Sequence, residues 1–176
     1  AIAVPIIEET FFRGIMLKGM LKKLKPAMAV IILSIVFASI HFIRNKSNVQ
    51  GVELNWLSGF VHLRNSFSNF ADPAFIGSWL TLFCCGCFLS LLALKNGNIA
   101  QSIGVHAGWV LILGVTKKIT DDNPDSKLNW MIGNYDKITG YLSFFVLTII
   151  CTVYYFCYMK NIRRSRNDEQ KRKSGA

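Results

Sequence analysis

The stretch AIAVPIIEETFFRGIMLKGML (residues 1–21) decides the fold. Its length is close to the roughly 20 apolar residues that cross the hydrocarbon of a bilayer. Yet it carries Glu8, Glu9 and Arg13 in its middle. Ionisable side chains are costly at that depth and are tolerated where they face the interior of a bundle. The stretch therefore predicts a membrane helix turned toward partner helices. Those partners follow in the chain as apolar runs at residues 27–43, 75–94, 99–115 and 140–159. Pro26 and its lysine neighbours separate the first run from the second, and the turn Lys95-Asn96-Gly97-Asn98 joins the third to the fourth. The expected fold is all-α, a polytopic transmembrane helix bundle over residues 1–159, with a basic tail at 160–176.

Composition agrees. The 176 residues suit one domain, and 17% are charged, against about a quarter in a soluble domain. The net charge of +10 would suggest nucleic acid in a soluble protein. Here the excess gathers at helix ends and in KNIRRSRNDEQKRK (residues 160–173), where it sets topology or meets anionic lipid. No aromatic residues interleave with it, so no nucleic-acid partner is expected. Lys18, Lys22, Lys23 and Lys25, then Lys95, then the tail fall on one side if all the segments cross. The positive-inside rule makes that side cytoplasmic, with Lys117 and Lys118 dissenting. A multi-pass protein of the cell membrane with a cytoplasmic C-terminal tail is expected. The chain opens inside an apolar run with no basic leader or cleavage pattern, so earlier helices are expected before Ala1. Cys84, Cys85, Cys87, Cys151 and Cys157 all lie in apolar runs and read as small buried packing residues. Between Arg44 and Pro73, the residues Leu57, Phe60, Val61, Phe67 and Phe70 keep helical spacing and predict an interfacial helix. His62, beside Arg64, reads as its solvated surface. Residues 121–139 read as a polar loop.

The chemistry sits in the first, second and fourth runs. Glu9 and Arg13 are four apart, so they share a helix face with the acid first, the favourable order. Glu8 points about 100 degrees away, which leaves it free to exchange a proton as a general base or acid. His41 and His106 lie on other runs. At 1.5 Å per residue, Glu8 and His41 both come out roughly 20 Å from the lysine-rich ends of their segments, and His106 about 12 Å. Height thus supports the meeting of Glu8 with His41 more strongly than the inclusion of His106. Two mechanisms suit the trio. Glu8 can take a proton from water oriented by His41 while His106 stabilises the oxyanion. Alternatively, Glu8, His41 and His106 can bind zinc and leave a position for water. The HExxH spacing of a zinc peptidase is absent, so the metal-free reading is preferred and no cofactor is expected.

Glu8-Glu9-Thr10-Phe11-Phe12-Arg13 matches EExxxR, and Phe37-Ala38-Ser39-Ile40-His41 matches FxxxH. His106 follows as a third motif histidine. In this order, on separate apolar segments, the chain resembles the CAAX protease and bacteriocin-processing family of intramembrane glutamic endopeptidases. That family includes the type II CAAX prenyl endopeptidases. The resemblance implies that Glu8 activates water with His41 as its partner, and that His106 belongs to the oxyanion site. Glu9 and Arg13 complete the first motif and Phe37 the second. The implied partners are the lipid bilayer and a peptide or lipidated-peptide substrate. One position departs: the third motif commonly runs HxxxN, and here Val110 stands in the last place. Trp109 offers an indole donor next to it, on a different helix face. Val110 keeps a second reading open, a non-catalytic protein of the same fold acting as a binding, immunity or regulatory partner. A proton-relaying transporter fragment is a third.

Overall fold

The structure, a computed structural model, describes residues 2–43, 73–120, 128–132 and 138–174. The expected interfacial helix with His62 and Arg64, and most of the expected loop at 121–139, lie outside the described residues. Among the described residues every regular element is helical, as the long apolar runs require.

The first run is one continuous helix with a change of pitch. It begins as α1 (Ala3–Glu9), widens into a π-helical stretch (Thr10–Leu17), and closes as α2 (Lys18–Leu21). The wide stretch begins directly after Glu9 and contains Arg13; π segments inside α-helices are frequent at functional sites. Lys22 and Lys23 turn the chain, and Pro26 opens α3 (Pro26–Ile43), a position where its missing N–H costs nothing. Next come α4 (Pro73–Asn96) and α5 (Ala100–Ile119). Their tight join depends on Gly97 at φ 67°, a left-handed conformation that glycine adopts without steric cost. Asn98 Oδ1 then accepts from the Ala100 N–H at 3.1 Å, satisfying one free donor at the start of α5. A short 3-10 turn (Asn129–Met131) precedes α6 (Tyr141–Ser174).

α4 is the central helix, packed against α3, α5, α6 and the π stretch. Small residues let it approach. A Cβ built on Gly86 would lie 3.0 Å from Ser34 Cβ and 3.1 Å from Ser34 Cα. Such small-residue contacts replace the hydrophobic drive that helices lack inside a bilayer. Under this contact Phe12, Leu17, Leu33 and Phe37 form the buried core. Outward faces are apolar too: Phe145, Ile149, Val153 and Phe156 on α6 are each more than half exposed. Two helical spans, Phe75–Asn96 and Tyr141–Lys160, are long and apolar enough to cross a membrane, and the apolar helix Pro26–Phe42 is shorter. α6 does not break where its composition turns basic; it runs on to Ser174. Its 34 residues measure about 51 Å, beyond the roughly 30 Å of hydrocarbon. Of the cysteines expected inside, Cys84 is buried while Cys157 lies exposed on α6, because no other described helix covers that face.

Candidate active site

Glu9 and Arg13 form the buried pair that their spacing predicts. Arg13 Nη1 donates to Glu9 Oε1 at 2.8 Å, and both side chains are fully buried. Arg13 Nη2 donates to the Gly86 carbonyl at 3.2 Å. The guanidinium lies over the Phe37 ring at 4.5 Å and the Phe12 ring at 5.7 Å. A buried cation here is thus met by a carboxylate, a carbonyl and two aromatic faces.

His106 joins this pair directly, although the height estimate set it lower than Glu8. Its Nδ1 lies 2.9 Å from Glu9 Oε1. The helix ends are not level, as the height estimate assumed. Ile99, at the start of α5, packs beside Gly14, where a Cβ would lie 3.7 Å from Ile99 Cδ1. From that shared level Glu8 is about 9 Å along the first helix and His106 about 10 Å along α5. The two therefore meet.

Glu8 faces both histidines. His41 Nε2 lies 3.8 Å and His106 Nε2 3.7 Å from Glu8 Oε2. These gaps exceed a hydrogen bond, and Glu8 Oε2 bonds to no other described group. The other ring nitrogens fix the imidazoles. His41 Nδ1 is 2.8 Å from the Phe37 carbonyl, which can only accept, so Nδ1 carries the proton. His106 Nδ1 faces Glu9 Oε1, the oxygen that already accepts from Arg13, and carries one for the same reason. Both Nε2 atoms are thereby turned toward Glu8. Phe37 holds the arrangement, with its ring 4.5 Å from that of His41 and 6.2 Å from that of His106.

Among the described residues, the backbones of α1 and α3, and of α3 and α5, stay apart. Glu8, His41 and His106 thus line a cleft, and Glu8 and His41 remain 27% and 20% exposed. Three polar atoms thus face one another in an apolar wall, with Glu8 Oε2 itself buried. No three His, Cys, Asp or Glu side chains among the described residues have the arrangement of a metal site.

The family model described as type II CAAX prenyl endopeptidase Rce1-like matches residues 1–112, from the start of the chain through His106. The chain belongs to this Rce1-like family. It is accordingly a membrane-integral protein of a peptidase family, and the two apolar spans fit that placement. No curated protein and no solved structure matches the chain.

Within this Rce1-like chain, the structure gathers Glu8, Glu9, Arg13, Phe37, His41 and His106 at one place. Trp109 lies elsewhere, its ring 5.8 Å from that of Phe88 on α4. Val110, one turn after His106 on α5, is half-buried. The residues that the sequence did not reveal are Gly86 and Ser34. Their signal is the glycine in Cys84-Cys85-Gly86-Cys87, a residue without a side chain inside an apolar run.

Proposed function

We propose that this chain is a multi-pass intramembrane endopeptidase that hydrolyses peptide bonds with water activated by Glu8, without a metal or other cofactor. The observation that carries the reading is the meeting of Glu8 Oε2 with two imidazole Nε2 atoms at 3.7 and 3.8 Å. Those spacings suit an oxygen seated between the three groups, within hydrogen-bond reach of each. Water held by Glu8 and His41 gives a proton to Glu8 as its oxygen attacks the scissile carbonyl carbon. The carbonyl electron pair moves onto its own oxygen, which His106 stabilises from Nε2–H. Collapse breaks the C–N bond, and the proton on Glu8 passes to the leaving nitrogen. Removing one oxyanion donor of this kind costs about 100-fold or more in rate.

The family points to the C-terminal peptides of prenylated proteins as substrates, and processing of bacteriocin-like peptides uses the same chemistry. The active residues project into a cleft among apolar helices, which suits a peptide that reaches the membrane on a lipid or apolar segment. Basic clusters at Lys22, Lys23 and the α6 extension support a cytoplasmic side that carries the C-terminal tail. Val110 in place of an amide donor favours the non-catalytic reading, a membrane partner of the same fold.

The test is incubation of the purified full-length protein, in detergent, with free and farnesylated peptides, with and without a strong chelator. Products are read by mass spectrometry. Cleavage that survives the chelator is expected. Cleavage abolished by the chelator and restored by zinc would overturn the metal-free mechanism, and no cleavage of any peptide would favour the binding role.

A further inference from the structure

Glu9 Oε1 accepts from two donors at once, Arg13 Nη1 at 2.8 Å and His106 Nδ1 at 2.9 Å. The first motif and the third are therefore one hydrogen-bonded unit. Arg13 is tied in turn to the Gly86 carbonyl, which Ser90 Oγ also reaches at 2.8 Å. Gly86 is a point of close approach between α4 and α3, against Ser34. The path Gly86, Arg13, Glu9, His106 joins α4, the first helix and α5 through fully or almost fully buried groups.

We infer that Glu9 is a positioning residue for the reaction, acting by holding the proton on His106 Nδ1 so that Nε2 faces the reacting oxygen. Without an acceptor at Nδ1 the ring is free to carry its proton on Nε2 or to rotate. Rotation removes the orientation on which oxyanion stabilisation depends, and a ring protonated on Nε2 alone lacks the carboxylate contact that supports the doubly protonated donor. A carboxylate against Nδ1 also stabilises the ring when Nε2 gains a second proton, the form that donates to the oxyanion. Arg13 holds Glu9 in place at 2.8 Å, and the Gly86 carbonyl keeps Arg13 from turning away. A purely structural ion pair would hold the helices together without fixing which imidazole nitrogen is protonated. This inference rests on the peptidase reading for its kinetic consequence, but not for the state of the ring.

The variant that separates the two roles is Glu9→Leu/Arg13→Met in the full-length protein. Replacing both partners of a buried pair with apolar residues avoids stranding a charge and is often neutral for stability. The protonation of His106 is read by nitrogen-15 NMR of histidine-labelled protein in detergent, with His106→Gln giving the assignment. Nδ1 is expected to be protonated in the wild type and to lose that proton in the double variant. With a cleavable peptide, kcat falls about 100-fold while KM stays within twofold. If the double variant does not fold, Glu9→Gln carries the kinetic arm, with kcat at least tenfold lower at unchanged KM. A His106 spectrum unchanged in the double variant overturns the inference, whatever happens to kcat. So does wild-type kcat in any variant that lacks the Glu9 carboxylate. Failure of the wild type to cleave any peptide defeats the peptidase reading alone, since the NMR arm needs no substrate.

Discussion

At the scale of single residues, the site is organised by what each atom can donate or accept. Glu8 Oε2 and two imidazole Nε2 atoms are all potential acceptors, aimed at one volume. A water molecule has only two hydrogens to give, so three converging acceptors are satisfied together when one of them carries a proton. His106 is the ring suited to carry it, because its Nδ1 already leans on the Glu9 carboxylate at 2.9 Å. Val110 sits one turn beyond His106 on α5, on the same helix face. An amide there would add a donor beside the oxyanion. Val110→Asn is therefore expected to raise kcat by about tenfold or more, read by peptide cleavage at saturating substrate. An unchanged or lower rate would mean that the oxyanion lies away from this face of α5. The pairing of Glu9 with Arg13 was legible in the sequence because four-residue spacing on a helix fixes it. The contact between Glu9 and His106 was not. It depends on how far α5 is shifted along the first helix, and Ile99 packing beside Gly14 sets that shift.

At the scale of elements, the chain anchors its buried arginine beside a close approach of two helices. α4 is apolar enough to cross a membrane, yet its decisive residue is Gly86, which lets α3 approach and offers a carbonyl to Arg13. Gly86→Ala would set its new methyl 3.0 Å from Ser34 Cβ and 3.1 Å from Ser34 Cα. Relief requires the two helices to separate. A loss of about 1–3 kcal/mol is expected, seen as a lower Tm in detergent, together with reduced peptidase activity as Arg13 loses its anchor. Ser34→Gly in the same chain would relieve the side-chain clash but not the contact with Cα, so recovery should be partial. Full stability in Gly86→Ala would show that α3 and α4 are not in such close contact. The helices themselves were readable from the length of the apolar runs, and their ends from Pro26 and Gly97. The π pitch from Thr10 to Leu17 was not. No residue type specifies it, in a stretch that packs against α3 and α4.

At the scale of the whole molecule, burial is inverted relative to a soluble protein. The fully buried side chains include Arg13 and Glu9, while large apolar residues cover the outer faces of α3, α5 and α6. That pattern makes sense with hydrocarbon as the solvent, where backbone groups must be satisfied within helices and ionisable groups turn inward. Val153, near the middle of the Tyr141–Lys160 span, is 59% exposed. In water, Val153→Arg would change stability by no more than about 0.5 kcal/mol. In a bilayer it is expected to cost about 3 kcal/mol, lowering the fraction of protein recovered as alkali-resistant membrane material. An unchanged fraction would indicate that this face of α6 meets water or protein. The membrane class was legible from composition and run length alone. The cleft between α1, α3 and α5 was not, because it depends on helix separations that periodicity does not encode.

The central claim is that Glu8 activates the attacking water, and the most direct measurement compares wild type with Glu8→Gln in the full-length protein. Both would be purified in detergent, matched by thermal unfolding, and followed for cleavage of one peptide under single-turnover conditions. General-base catalysis is worth about 100-fold to 10,000-fold. The account predicts a loss within or beyond that range, with the unfolding transition and peptide affinity unchanged. Cleavage by Glu8→Gln at the wild-type rate would contradict it and remove Glu8 from the reaction.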